Sequence, residues 1–454
     1  MKPNFIIIYP DSLTAHALGC YGNSNPVSPN IDALAKDGVK FVNCISSNPL
    51  CQPSRASLHT GCYLNGHNVR NNSTEQLNPI YPSMAQIFRK GGYRLAYYGK
   101  THSVNQDEWD DVFDLYPDYN RYLKGCGIDV VYPEKPPVES LCAGMSEIPN
   151  NDFSENILGN LGEKYIRDMA KKESPFMLFM SHEAPHSPWT VPKEYADFLN
   201  NIDISLLEIP DHAWESKHPE LKSYLEKRSA AAPDDERLKY AIRIYNTLIK
   251  IVDDNVGKLL KALDETGQRD NTVIIVSSDH GDYLGNYRAM GKCISPADNL
   301  LRVPLIFNAP KQFAPHVNRS LVQNVDIFPT LAAIAGLDIP SSVHGMSLIP
   351  ALNGGEIDRQ YAFSEEHNDF FDSWMIAQDE RWKLVYYASG REELYDLKVD
   401  PHEWCNLSGQ KKCQQHIDRL KSELLKWRFR CIDCKKSQSG SFVRDFMKQG
   451  FFRY

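Results

Sequence analysis

Short apolar runs, each closing on polar or ionisable residues, recur along this chain and leave it few folds to choose from. Candidate buried strands are NFIIIY (Asn4 to Tyr9), RLAYYG (Arg94 to Gly99), PFMLFMS (Pro175 to Ser181), TVIIVSS (Thr272 to Ser278) and VPLIFNA (Val303 to Ala309). Helical patterns lie between them. They are SPNIDALAKDG (Ser28 to Gly38), SMAQIFRKGG, the amphipathic stretch from about Asp235 to Thr266, and DIFPTLAAIAG (Asp326 to Gly336). In the first, Pro29 follows a serine cap and Gly38 closes the end. Alternation of this kind builds strand–helix–strand units, so the fold class is α/β with a mostly parallel sheet. In such sheets ligands bind beyond the carboxyl ends of strands. Asp11, Lys100, His102, His186, Asp279 and His280 all follow strand-like runs, which predicts that they share one site.

After GMSLIPAL (Gly345 to Leu352) the pattern changes to aromatic, alternating runs broken by charged turns, then ELYDLKVDPHEWCNL and a helical stretch near HIDRLKSELLKWRFR. Residues 1–355 therefore read as a large domain and residues 356–454 as a smaller α+β one with a short antiparallel sheet. The aromatics of RWKLVYY are expected in the core of that sheet rather than as a sugar platform. Among the late cysteines, Cys431 and Cys434 have Cys-x-x-Cys spacing, but Cys405 and Cys413 lack a matching pair. Solvent-side thiols are expected there in preference to a structural zinc.

The 454 residues, 42% hydrophobic and 24% charged, supply ample material for a large core. A net charge of −8 gives no global nucleic-acid footprint, though it allows a local cationic pocket for a small anion. No stretch approaches the roughly 18 apolar residues of a membrane span, and FIII near the N-terminus reads as strand rather than as a targeting segment. Eleven cysteines, an odd number scattered along the chain with no leader, point to a reducing, cytoplasmic setting. Neither a nucleic-acid nor a membrane partner is expected, and a homo-oligomer is left open.

The stretch NPLCQPSRASLHTG (Asn48 to Gly61) carries the chemistry. A thiol phosphatase would need an arginine six residues after its cysteine to cradle an oxyanion. That position is Ser57, and the arginine is Arg55. Plain thiolate chemistry is thereby disfavoured. CQPSRASLHTG resembles the signature of type I sulfatases, in the alkaline phosphatase superfamily. The likeness continues in family order through NFIIIYPDS, SPNIDALAKDGVKFVNC, GYRLAYYGKTH, PHSPWTVPKEY, SSDHGDYLG, RVPLIFNAP, DIFPTLAAIAG and ELYDLKVDPHEWCNL.

This resemblance implies an alkaline-phosphatase-like large sheet flanked by helices, and hydrolysis of a sulfate monoester on a carbohydrate or aryl compound. It implies that Cys51 is oxidised to formylglycine (3-oxoalanine) by a maturation enzyme reading Pro53 and Arg55 in the unfolded chain. One hydroxyl of the hydrated aldehyde attacks sulfur, and the other expels sulfate, which divides one hard step into two. By the same resemblance Asp11, Asp279 and His280, with the oxygen at position 51, match the ligands of one divalent cation. Hard oxygens favour calcium or magnesium, and the imidazole shifts the balance toward manganese. Ser12 stands where the family often has Asp, Asn or Gln, so either its hydroxyl or a water would complete the set. Arg55 would grip the diol and the ligand carboxylates, Lys100 a sulfate oxygen, and His102 the diol. His186 and Lys292 would face the leaving oxygen. Asn72 would donate an amide to sulfate or substrate. A lone histidine is more often a packing or surface residue, and YRAMGKCI around Lys292 matches the family only loosely. Two rival readings remain: a phosphonate monoester or phosphodiester hydrolase of the same superfamily, and an unmatured module that binds anions or glycans without turnover. The loops that would wall the pocket, including the insert from about Gln106 to Phe153, carry no readable substrate code.

Overall fold

A computed structural model describes residues 2–72, 82–102, 105–128, 141–232, 234–292, 294–367 and 371–448, with side chains to residue 431. Among these residues fourteen strands form three sheets. In chain order they are β1 (Asn4–Ile8), β2 (Val39–Ile45), β3 (Arg94–Gly99), β4 (Asp111–Asp114), β5 (Ala143–Ser146), β6 (Phe176–Ser181), β7 (Trp189–Pro192), β8 (Thr272–Ser277), β9 (Arg302–Asn308), β10 (His316–Gln323), β11 (Ala362–Glu366), β12 (Trp374–Gln378), β13 (Trp382–Tyr387) and β14 (Glu392–Asp396).

The large sheet has the order β10-β2-β9-β8-β1-β6-β3-β4. Its neighbours run parallel except at β9, which is antiparallel to both β2 and β8. The VPLIFNA run thus belongs to the sheet but points the other way. Its connection from β8 stays at one end of the sheet and turns straight back, and such a return gives an antiparallel neighbour. The central strands are buried on both faces, which is why they read as unbroken apolar runs.

Alternate side chains feed two cores. Ile6, Ile8, Leu178, Met180, Ile274 and Val276 pack beneath the helices Pro29–Lys36, Ser154–Met169 and Asp235–Glu265. Phe5, Ile7, Tyr9, Phe179 and Ile275 face the opposite layer, with Leu58, Phe88 and Leu331 from the helices Cys51–Thr60, Met84–Lys90 and Ile327–Ala335. Each fully buried aliphatic or aromatic side chain here is worth about 1.5–3 kcal/mol of transfer free energy. The long helix Asp235–Glu265 starts where the Asp234 carboxylate accepts the Arg237 N–H at 2.8 Å.

The four-stranded sheet β11-β12-β13-β14 is antiparallel throughout. One face, with Leu384 and Leu394, packs on Ile417, Leu420, Leu424 and Trp427 of the helix Gln414–Lys448. The other, with Trp374, Ile376, Val385 and Tyr387, covers Ile45, Leu301 and Leu321 at the edge of the large sheet. The late cysteines depart from the sequence expectation. Cys413, in the turn Lys411–Cys413 just before the helix, and Cys431, on the helix, are both buried in the first of these cores against the sheet, and of the described late cysteines only Cys405 is exposed. The Cys434 side chain lies outside the described residues. Among the described residues no helix is long and apolar enough to cross a membrane.

Candidate active site

At the carboxyl-end crest of the large sheet, each polar group is delivered by its own element. Asp11 follows β1 and is tied to the end of β6, its N–H donating to the His182 carbonyl at 3.0 Å. Asp279 and His280 follow β8, Lys100 follows β3, and Cys51 opens the first turn of the helix Cys51–Thr60. Asp11, Asp279, His280 and Cys51 each offer one ligand atom, and the four atoms lie within 4.8 Å of one another, all buried. Of the six strand-end residues, Asp11, Asp279, His280 and Lys100 come together around Cys51. Its Sγ is 3.6 Å from Asp11 Oδ1 and 3.3 Å from His280 Nε2.

Arg55 lies one helical turn beyond Cys51, on the same face of the helix. It is wholly buried and uses its whole fork. Nε donates to Asp279 Oδ2 at 2.9 Å, Nη2 to Asp11 Oδ2 at 3.2 Å, and Nη1 to Ser181 Oγ at 2.7 Å. Two buried carboxylates side by side would repel, and this guanidinium, stacked over the Tyr9 ring at 5.3 Å, holds them together. Lys100 Nζ adds an ion pair to Asp11 at 2.9 Å and lies 4.0 Å from Cys51 Sγ. Lys292 Nζ also touches Cys51 Sγ, and stands 3.0 Å from His280 Nε2. Burial pushes the Asp11 carboxyl up, but Lys100, His186, Lys292 and Arg55 together hold it well below the usual carboxylate range. For the Cys51 thiol, burial and then Asp11 push upward, and Lys100, Lys292 and His280 outweigh them, leaving it well below an ordinary thiol. The pocket is a cationic surround built around an anion or an electron-rich oxygen.

Ser12 has a left-handed backbone, φ 65°, unusual for a serine. Its N–H donates to Asp279 Oδ1 at 3.1 Å and its hydroxyl to Asp11 Oδ1 at 3.1 Å, so it orients both carboxylates. His280 Nδ1 lies 2.8 Å from the Gly281 carbonyl. Donation there leaves the Nε2 lone pair facing the cluster, the arrangement a metal-binding imidazole needs. Two carboxylates, an imidazole and the side chain at position 51, converging with their outer hydrogen bonds satisfied, fit a single divalent cation.

Other predicted residues are placed differently. Asn72 Oδ1 accepts the Gln52 N–H at 2.9 Å, so it caps the helix that carries Cys51, while its Nδ2 is 3.8 Å from Cys51 Sγ. His102 stacks on Tyr116 at 6.5 Å between ring centroids, and it makes no hydrogen bond to Cys51. His186 closes the Glu183–His186 turn beside Asp11, its N–H donating to the Glu183 carbonyl at 2.9 Å; its Nδ1 lies 2.5 Å from the Ser187 carbonyl, and it likewise makes no hydrogen bond to Cys51. Sequence reasoning missed Ser181, whose hydroxyl accepts from Arg55 and donates to the Lys100 carbonyl at 2.7 Å. It also missed Ser46 and Ser54, which both donate to the Asp279 carbonyl at 2.6 Å, and Glu183, 3.7 Å from Lys100 Nζ.

The Sulfatase family profile matches residues 3–337, and the profile "N-sulphoglucosamine sulphohydrolase, C-terminal" matches residues 293–430. A Delta 4,5-hexuronate-2-O-sulfatase from Bacteroides thetaiotaomicron is 31% identical over 430 residues, 90% of this chain and 85% of that protein. A solved 2-O GAG sulfatase superposes with a TM-score of 0.76 at 27% identity, covering 96% of this chain and 94% of the other. The phosphonate monoester hydrolase of Agrobacterium radiobacter has the same fold, with a TM-score of 0.81 at 24% identity over 95% and 96% of the two chains.

Proposed function

The chain belongs to the type I sulfatase family and is a sulfuric ester hydrolase; from that premise we propose that it cleaves sulfate monoesters of sugars with a nucleophile made from Cys51. The convergence of Cys51 with Asp11, Asp279 and His280 within 4.8 Å carries this reading. Asp11, Asp279, His280 and position 51 would hold one divalent cation, calcium in preference to manganese or magnesium, which when bound supplies Lewis-acid polarisation of a sulfate oxygen. Formylglycine at position 51, installed by a maturation enzyme, supplies the attacking hydroxyl.

The remaining roles fall to the chain's own side chains. Arg55 keeps the two carboxylates paired, so that neither drifts from the cluster when charge moves. Lys100 and Lys292 are fixed beforehand where sulfate oxygens gather charge, and preorganised charge in a buried site needs no rearrangement at the moment of reaction. His102 takes the proton from position 51, and His186 at the rim gives one to the leaving oxygen. Both histidines would have to approach the reacting group during turnover, since neither is hydrogen-bonded to Cys51. Ser12 serves as an orienting group, and Asn72 fixes the start of the nucleophile's helix. A sugar substrate is supported by the hexuronate and GAG sulfatases among the relatives.

Rates on nitrophenyl sulfate and nitrophenyl phenylphosphonate test the reaction class. A large preference for the sulfate is expected, and a large preference for the phosphonate would replace this reading with the hydrolase whose fold the chain shares. A screen of sulfated mono- and disaccharides then identifies the sugar. Intact mass after production with the maturation enzyme checks position 51, because an unchanged mass with no turnover would leave only an anion- or glycan-binding module.

A further inference from the structure

The segment DPHEWCNL, near the end of the chain and far in sequence from the crest, has no part in the chemistry so far. Glu403 within it has a left-handed backbone, φ 58°, and is 3% exposed. Its Oε2 accepts the Asp298 N–H at 3.0 Å and its Oε1 pairs with Lys383 Nζ at 2.5 Å. Lys383, on β13 and fully buried, also donates to the Pro296 carbonyl at 2.5 Å. Trp374, on β12, donates its indole N–H to the Ile294 carbonyl at 3.2 Å. The small sheet therefore grips the backbone of 294 and 296 through Trp374 and Lys383, and Glu403, beyond the end of β14, grips that of 298, all downstream of Lys292. On the upstream side Tyr224 donates to the Lys292 carbonyl at 3.2 Å, and the Gly291 N–H is held by Asp282 at 2.9 Å.

A buried lysine–glutamate pair is a poor device for stability, since an apolar pair of the same volume is often as good or better. Its distinguishing property is placement: two charges that must meet fix the peptide groups they also bind. The peptide groups so fixed are the Pro296 carbonyl and the Asp298 N–H, four and six residues beyond Lys292, whose ammonium touches Cys51 Sγ. We propose that Glu403 and Lys383 are positioning residues for Lys292, so that the C-terminal sheet sets the geometry of the catalytic crest. This rests on the role given to Lys292 above.

The test is a double-mutant cycle in the matured, metal-loaded enzyme, with nitrophenyl sulfate as substrate. The paired change Glu403→Gln with Lys383→Met removes both charges and keeps an acceptor for the Asp298 N–H. It is expected to lower kcat about 10-fold or more with KM changed less than about twofold. In a Lys292→Ala background the same pair should cost less than about twofold, because the group it positions is gone. Equal losses in both backgrounds, or no loss in either, would overturn the proposal. Should Lys292→Ala alone keep the wild-type rate, the catalytic role of Lys292 fails first, and that failure is visible in the single variant. Trp374→Phe, which deletes only the indole donor, repeats the cycle if the paired variant does not fold, with a loss of about threefold expected under the same criterion.

Discussion

The helix that presents Cys51 is underlain by two histidines whose burial makes the site acid-labile. His59 and His67 are 3% and 1% exposed. His59 packs against Phe179, 5.2 Å between centroids, with Tyr97 and Trp109 around it, and its Nε2 has no partner among the described residues. Burial, and then nearby Arg55, push its pKa from 6.5 down to about 3; burial, and then His344, do the same to His67. Both are therefore neutral in the folded protein, whereas in the unfolded chain they gain protons as the pH falls through 6.5. The unfolded state binds more protons, so stability falls with acid. From about pH 7.5 to about pH 5.5 each histidine loses close to one pK unit of free energy, about 1.4 kcal/mol, or about 2.7 kcal/mol for the pair. His59→Phe keeps an aromatic ring in the same aromatic nest and cannot titrate. Urea unfolding at the two pH values should show the variant losing about 1.4 kcal/mol less than the wild type. Equal losses would mean that His59 is charged or water-exposed in the folded protein, and the burial argument would be wrong.

Three further outcomes follow from the crest. Cys51→Ala should abolish turnover of nitrophenyl sulfate while leaving the urea midpoint unchanged, and wild-type rates would remove Cys51 from the mechanism. Asp279→Asn, or chelation of the wild type, should slow hydrolysis by orders of magnitude; if both leave the rate unaltered, the cluster does not work through a cation. Ser181→Ala strands a buried Arg55 N–H, which should cost about 1–3 kcal/mol of stability and about 10-fold in kcat as the guanidinium loosens; an unchanged kcat would show that the other two bonds of Arg55 suffice.

The central sheet was legible because β1, β3, β6 and β8 are buried on both faces and so announce themselves as apolar runs. Edge positions hid β10 and β4. β10 reads His-Val-Asn-Arg-Ser-Leu-Val-Gln and β4 is only Asp-Val-Phe-Asp, patterns set by one-sided exposure at the margins of the sheet. The reversal of β9 cannot be read from composition, since its side chains are buried just as those of a parallel strand are. At the crest, charged groups at strand ends stood out, whereas Ser181, Ser46 and Ser54 looked like ordinary strand or helix boundaries. Their importance lies in partners 81 to 233 residues away in the chain. The late thiols were misjudged for a similar reason: Cys413 and Cys431 face a sheet whose strands precede them, and only the packed helix shows it.

The depth of Cys51 and Arg55, 1% and 0% exposed in a formed helix, has a consequence for how active protein arises. Any enzyme that oxidises this cysteine by reading its proline and arginine must act before the helix closes and the sheet collapses over it. On the maturation proposed above, active and inert copies would be sorted by a race between oxidation and folding, and a copy that folded first would have no second chance without being unfolded.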